Sequence, residues 1–253
     1  MLRLPRSLGH GEEATLVEHL EELRQRLFVC LAALAIGFVA GYVVHTHLVH
    51  WLTLDLPARH RKLTTLSIGE PFMTSIWVSL WFGLLLAVPV ILWQAWSFFI
   101  PAVAKTHARI LRAFVFVATL LLGCGVAFGY FIALPAASKF LTNYDRSIYY
   151  EQIQAKPFLT FATHVLIAMA LVFELPVFVV GLTRTGILTT DRLRKNRRIG
   201  YFVVLCIGVA LPGVDPVTTT IETIPLLVLY EASIQVSRLL DRRAVKAREP
   251  SLA

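Results

Sequence analysis

Residues Leu27 to Val44 read LFVCLAALAIGFVAGYVV, eighteen positions without a charged side chain. As a helix rising about 1.5 Å per residue, the run crosses most of a hydrocarbon core of about 30 Å. Directly ahead of it stands LVEHLEELRQRL, Leu16 to Leu27, in which Glu18, Glu21 and Glu22 follow i, i+3, i+4 spacing and share one helical face. An acidic amphipathic helix therefore runs straight into a transmembrane span and holds its carboxylates at the membrane surface on a fixed phase. Such a face suits a basic ligand. The same residues allow a local alternative, Glu22 pairing with Arg26 at i+4 and Glu21 with Arg24 at i+3, each worth a few tenths of a kcal/mol.

The rest of the chain repeats the apolar theme. Across 253 residues, 57% are apolar and 16% charged, with a mean hydropathy of +0.68, where soluble domains carry roughly 25% charge. The composition predicts an all-α integral membrane protein forming one polytopic domain over 1–253. Six spans are expected, at about 27–45, 76–100, 110–134, 158–182, 199–211 and 217–236. The first run lacks the short core and cleavage site of a signal peptide and is read as a retained span. Of the 24 Lys and Arg, only Arg59, Arg61, Lys62, Lys139, Arg146 and Lys156 fall on the side away from the termini. The positive-inside rule then places both termini, tails 1–26 and 237–253, in the cytoplasm, the protein being multi-pass in the cytoplasmic membrane. The net charge of +8 is thus a topology signal. Anionic lipid is its expected partner and nucleic acid is not.

Two departures from a plain six-helix bundle are expected. Ile199 to Leu211 spans only about 20 Å as a helix, and the last two helices are read as short, which makes the bundle concave and cup-like. Prolines at 89, 135, 176, 212, 216 and 225 fall within or beside spans, where each frees a carbonyl or imposes a kink. The two non-cytoplasmic stretches, Thr46 to Ser75 and Pro135 to Pro157, are apolar enough to read as packed caps. Cys30, Cys124 and Cys206 lie in apolar runs and read as buried free thiols.

Glu174, within VLIAMALVFELPVFVV, is an ionisable group inside a span and hence a functional candidate. The alternative is a protonated or locally bonded carboxyl beside Pro176. Glu222 and Glu231 mark the sixth span. Asp215, in LPGVDPV, reads equally as an Asx turn or helix cap and as a ligand group. His45, His47 and His50 do not converge on one helical face, and His164 reads as a packing or pore-lining side chain. No GxSxG, HExxH, GxxxxGKS/T or CxxC motif is present. No enzyme activity, cofactor or metal is expected.

The motif HLEELRQRL ahead of a first span resembles the N-terminus of the TatC family, the multispanning receptors of the twin-arginine translocase. The resemblance continues through EPFMTSIWVSLWFGLLLAVPVILWQAWSFFIPAV, with Pro71, Phe72, Pro89, Gln94, Phe98 and Pro101, then FGYFIALP, VFELPV around Glu174, LTTDRLRKNRR and Asp215. It covers roughly residues 15 to 243 in order.

The resemblance implies a subunit that binds twin-arginine signal peptides of folded proteins at its cytoplasmic face. It implies recruitment of the single-span partners TatA and TatB into a multimeric complex for export driven by the proton-motive force. The acid of the family's N-terminal motif falls on Glu22, supported by Arg24 and Arg26, with Phe98 in the same site. The family's second acid belongs in the first cytoplasmic loop, where this chain has His107, so either Glu18 or Glu21 supplies the second carboxylate or the site is weaker and differently built. Partner-helix contact is implied for Glu174 and for a polar patch at the end of the fifth span. Here that patch has Leu211 in place of Thr, with Thr219 beyond Asp215 positioned to compensate. The alternative weighed from His164, Glu174 and Glu222 is a proton-coupled small-solute transporter, against which the two three-span halves share no pattern.

Overall fold

A computed structural model describes residues 16–56, 61–99, 107–145, 147–148, 152–184, 187–212 and 215–248. Among them every element is helical and the nearest approach to a sheet is one isolated bridge, Thr64 to Gln154. The long elements are α1 (Leu16–Val43), α3 (Glu70–Phe99), α4 (His107–Phe128), α6 (Ala155–Phe173) and α10 (Pro216–Arg248). Shorter pieces connect or extend them: α2 (His45–Thr53), α5 (Leu134–Leu141), α7 (Leu175–Arg184), α8 (Thr190–Lys195) and α9 (Arg197–Ala210).

Small residues set the closest helix pair. Gly37 and Gly41 recur at i, i+4 on α1 and lie on Ser79 and Gly83 of α3. A Cβ on Gly37 would stand 2.6 Å from the Gly83 carbonyl oxygen, and one on Gly83 would stand 2.5 Å from the Phe38 nitrogen. Only glycine admits this backbone approach, the usual means of helix association in lipid.

Proline shapes the joints. Pro135 lacks an N–H and its ring crowds the carbonyl four residues back, and the chain widens there into a π turn, Gly129–Ala133, between α4 and α5. Pro176 cannot bond back to Val172, and α6 stops at Phe173. The Glu174 amide turns to the Leu171 carbonyl at 3.1 Å, and α7 restarts at Leu175. Pro216 opens α10 in the first helical turn, where no N–H is needed. Pro89 and Pro225 are carried inside continuous helices.

The α6–α7 rod is the central post. Its side chains enter all three buried clusters: Val165, Met169 and Val172 against Val204 of α9 and Leu226, Tyr230 and Ile234 of α10; Ala170 and Val177 against Trp96 of α3 and Leu122 of α4; and Leu159 and Ala162 against Leu52 of α2 and Leu134 of α5. The two regions read as caps do pack: Thr64 accepts from the Ala155 amide at 2.8 Å and donates its own amide to Ile153 at 2.9 Å.

Among the described residues five stretches are long and apolar enough to cross a membrane: His19–Val43, Glu70–Phe98, Arg112–Leu141, Ala155–Arg184 and Pro216–Asp241. The fifth expected span exists as α9, but at 14 residues it is too short to cross on length alone. The expectation that the last helix is also short is corrected. Helix α10 runs 33 residues, because its charged tail of Arg, Lys, Ala and Leu is strongly helix-forming and continues past the apolar region. A groove of about 560 Å³ opens between α6–α7 and α9–α10, lined by Leu171, Leu175, Phe178, Ile207, Leu211 and Leu226. The thiols are free, but Cys124 and Cys206 lie on the outer surface rather than inside, as lipid-facing positions of a membrane bundle can.

Candidate functional site

The acidic face of α1 is anchored to α3. Arg26 reaches across to Gln94, donating from Nη1 to the main-chain oxygen at 3.3 Å and the side-chain Oε1 at 3.4 Å. The same guanidinium holds Glu22: its Nε donates to Oε1 at 3.1 Å and its Nη2 pairs with that same oxygen. Both contacts on Glu22 fall on Oε1, and Oε2 has no partner among the described residues. The pair is graded in exposure, the Glu22 side chain being 47% exposed and that of Arg26 21%. The carboxylate is thus held from below and presented outward.

Around it, His19 stacks on Phe98 with ring centroids 4.3 Å apart, a second clasp between the start of α1 and the end of α3. Arg24 lies over the Phe28 ring, its Cζ 5.7 Å from the centroid. The local pairing foreseen for Glu22 and Arg26 forms. That of Glu21 with Arg24 does not, and Glu21 stands exposed. The side chains of Glu18 and His107 lie outside the described residues. Glu22, Arg24, Arg26 and Phe98 are thus brought to one end of the α1–α3 pair. Gln94 and His19 were missed as site residues: 68 positions separate Arg26 from Gln94, and no local spacing announces that contact.

A second set of acids lies inside. Glu174, at the α6–α7 break, and Glu222, on α10, are each 0% exposed, and neither carboxylate has a hydrogen-bond partner among the described residues. Leu175, beside Glu174, and Leu211, which ends α9, line the same groove. Asp215 is a helix cap: its Oδ1 accepts the Thr218 amide at 2.7 Å and its Oδ2 the Thr218 hydroxyl at 2.6 Å, while Thr219 donates from Oγ1 to the Asp215 carbonyl at 3.0 Å. Asp215 and Thr219 therefore organise the start of α10 and do not line the groove. Glu231 braces α9 to α10, accepting from Tyr201 at 2.8 Å and pairing with Arg197 at 3.2 Å. His164 packs edge-on to Trp81, 5.4 Å between centroids, and lines the groove.

Chemically, the outer site offers one anchored, half-exposed carboxylate with one oxygen unpartnered among the described residues, an arrangement suited to a guanidinium. The inner acids are sealed by packing and reach no ligand in this arrangement of helices.

Comparison with known proteins gives a consistent picture. Residues 18–225 match the model of the family described as Sec-independent protein translocase protein (TatC). The chain is 33% identical over 227 residues to a Sec-independent protein translocase protein TatC of Carboxydothermus hydrogenoformans, covering 89% of this chain and 93% of that one. It is 29% identical over 242 residues to TatCd of Bacillus subtilis, covering 96% and 99%. A crystal structure described as the twin arginine translocase receptor TatC in DDM superposes with a TM-score of 0.77 at 31% identity, over 87% of this chain and 99% of that one.

Proposed function

Because the chain belongs to the TatC family of Sec-independent protein translocase proteins, we propose that it is the subunit that receives twin-arginine signal peptides, with Glu22 as the contact for the arginine pair. The observation that carries this reading is the one-sided hold on Glu22. Arg26, itself fixed by Gln94, occupies Oε1, and among the described residues no partner is found on Oε2 of this half-exposed side chain. An incoming guanidinium adds to the pair without having to break it. Arginine fits where lysine does not, because its planar fork can span the free oxygen and neighbouring acceptors together. Phe98, stacked by His19, adds an aromatic surface at the same end of the α1–α3 pair. Glu21, on the same turn and exposed, offers a second acid for the other arginine of the pair.

The orientation follows the sequence charge: the acidic face and both termini lie on the cytoplasmic side, and α9, fifth in order, is an incomplete span that brings the number to six. Partner helices of TatA and TatB type dock at the groove between α6–α7 and α9–α10, with Glu174 behind its wall and Leu211 at its rim. Cargo moves by the proton-motive force, without an enzymatic step in this subunit. Family membership displaces the small-solute transporter as the reading of the buried acids.

The test is binding of a synthetic twin-arginine signal peptide to the full-length protein in nanodiscs, beside its twin-lysine counterpart. The expected result is a preference for arginine of tenfold or more that Glu22→Ala removes. Equal binding of both peptides by folded protein would overturn the assignment of Glu22. For the partner site, Glu174→Ala should weaken co-purification of single-span partners and leave peptide binding in place. The reverse pattern would move Glu174 to the peptide site.

A further inference from the structure

At the end of the bundle opposite Glu22, a cavity of about 360 Å³ lies between α2, residues 61–65, the start of α3 and the start of α6. Its walls carry Thr46 and His50 of α2, Arg61, Thr65, and Thr74 and Ser75 of α3, and among the described residues no Asp or Glu lines it. The hydroxyls are not all equivalent. Ser75 donates to the Pro71 carbonyl at 2.9 Å, so its proton is already used. Thr74 is different: it is 5% exposed, lines the cavity, and its Oγ1 has no partner. A buried hydroxyl left unbonded is unfavourable, and an acceptor placed in the cavity would satisfy it.

Arg61 adds charge. It donates from Nε to the Leu56 carbonyl and from Nη2 to the Leu54 carbonyl, each at 3.3 Å, which fixes the guanidinium across the end of α2. It forms no ion pair with a carboxylate among the described residues, and its remaining N–H groups are uncommitted. The neighbouring acid, Asp55, is not among the residues lining the cavity, and burial pushes its pKa up. The first amides of α6 contribute nothing, since Ala155 donates to Thr64 and Lys156 to Glu70. The polar part of the lining is therefore hydroxyls, an imidazole and one guanidinium, set among Val49, Leu63 and Leu159.

Beside it the surface is apolar and bare. Leu66, Ile68, Phe72 and Met73 are exposed around the cavity's own Thr65 and Pro71, and Trp51 and Trp77 are exposed at the same end. Exposed tryptophans of this kind belong at headgroup depth. We propose that this cavity binds a phosphate oxyanion through Arg61 and Thr74, with a phospholipid headgroup or free phosphate as its source. The apolar rim is where the acyl chains of the first of these would lie. The reading is independent of the signal-peptide site.

The test uses full-length protein stripped of lipid in maltoside detergent, with three probes: dioleoylphosphatidylglycerol, a phosphate-free galactosyl diacylglycerol, and inorganic phosphate. Native mass spectrometry counts retained lipid and ³¹P line broadening reports phosphate. One tightly retained phosphatidylglycerol, weak retention of the galactolipid, and loss of affinity by tenfold or more in both Arg61→Ala and Thr74→Val would establish the site with lipid as its source. Binding of inorganic phosphate alone, with the same sensitivity to both substitutions, would establish it with the free anion. Thr74→Val removes only an unbonded hydroxyl at constant volume, so it stays informative if Arg61→Ala loosens the end of α2. Arg192→Ala on α8, at the other end of the molecule, serves as the unchanged control. Absence of both phosphate probes, equal retention of the galactolipid, or binding untouched by the Arg61 and Thr74 substitutions would each overturn the proposal.

Discussion

The acids of α1 and those of the α6–α10 interior are held in opposite ways. Glu22 is half exposed and clamped on one oxygen by a cation that is itself anchored, whereas Glu174 and Glu222 are sealed from solvent with no partner for either oxygen. An exposed, paired carboxylate contributes little to stability, about 0–1 kcal/mol, and is free to exchange partners. A buried, unpaired one destabilises the fold whenever it is charged, and it meets a ligand only if helices move. The first arrangement is a ready recognition element and the second a reserve inside the bundle. The two should therefore separate cleanly under mutation.

The largest separation is expected at Glu22. Glu22→Ala should reduce affinity for a twin-arginine peptide by about 100-fold, the scale of a lost charge-assisted pair at a binding site, while the thermal midpoint stays within about a degree or two of the parent. Fluorescence anisotropy of the labelled peptide and a thermal melt on the same sample check both halves. A melt that falls steeply would place Glu22 in the structural class and break the contrast.

The next effect has the opposite character. Glu222→Leu fills a sealed position with an apolar side chain of similar size and should stabilise the protein by about 1–3 kcal/mol, as replacing buried charge by packed hydrocarbon often does. Peptide affinity should not change. Chemical denaturation in mixed micelles reads the stability. A loss of stability would mean that Glu222 is bonded in the folded state, and the interior acids would then resemble the exterior one.

Much of this contrast was legible in the sequence, and the rest was hidden for identifiable reasons. The i, i+3, i+4 acids, the long apolar runs and the short fifth segment all follow from local spacing, and the pairing of Glu22 with Arg26 is a helix-surface contact readable at i+4. The prolines marked the joints, but not their outcome: Pro135 gives a π turn, Pro176 a break, and Pro225 is carried inside α10. The length of α10 was misread because hydropathy ends where charge begins, whereas helix propensity does not. Asp215 was ambiguous until its two oxygens were found on Thr218, since a cap and a ligand group share the same residue types. Glu174 and Glu222 were visible as intramembrane acids, but whether such a group is paired or sealed depends on packing between distant segments. Gln94 depends on the same kind of packing. Nothing in the spacing near either residue says that Arg26 will find it.

That last contact gives the finest test of the comparison. If the orientation of Glu22 derives from Arg26, and that of Arg26 from Gln94, then Gln94→Leu should weaken peptide binding without touching the carboxylate. The main-chain acceptor at Gln94 survives the substitution and only the side-chain acceptor is lost, so the expected effect is about three- to fivefold, equivalent to roughly 1 kcal/mol. It should appear as a reduced preference for arginine over lysine rather than as a general loss, because a carboxylate free to rotate still attracts any cation but no longer presents Oε2 in a fixed direction. Combined with Glu22→Ala, the Gln94 substitution should have no further effect, since the two act through one chain of contacts. Additive losses in the double variant would show that Gln94 meets the peptide itself. The outer site would then be a two-point contact spread over α1 and α3 rather than a single carboxylate held from behind.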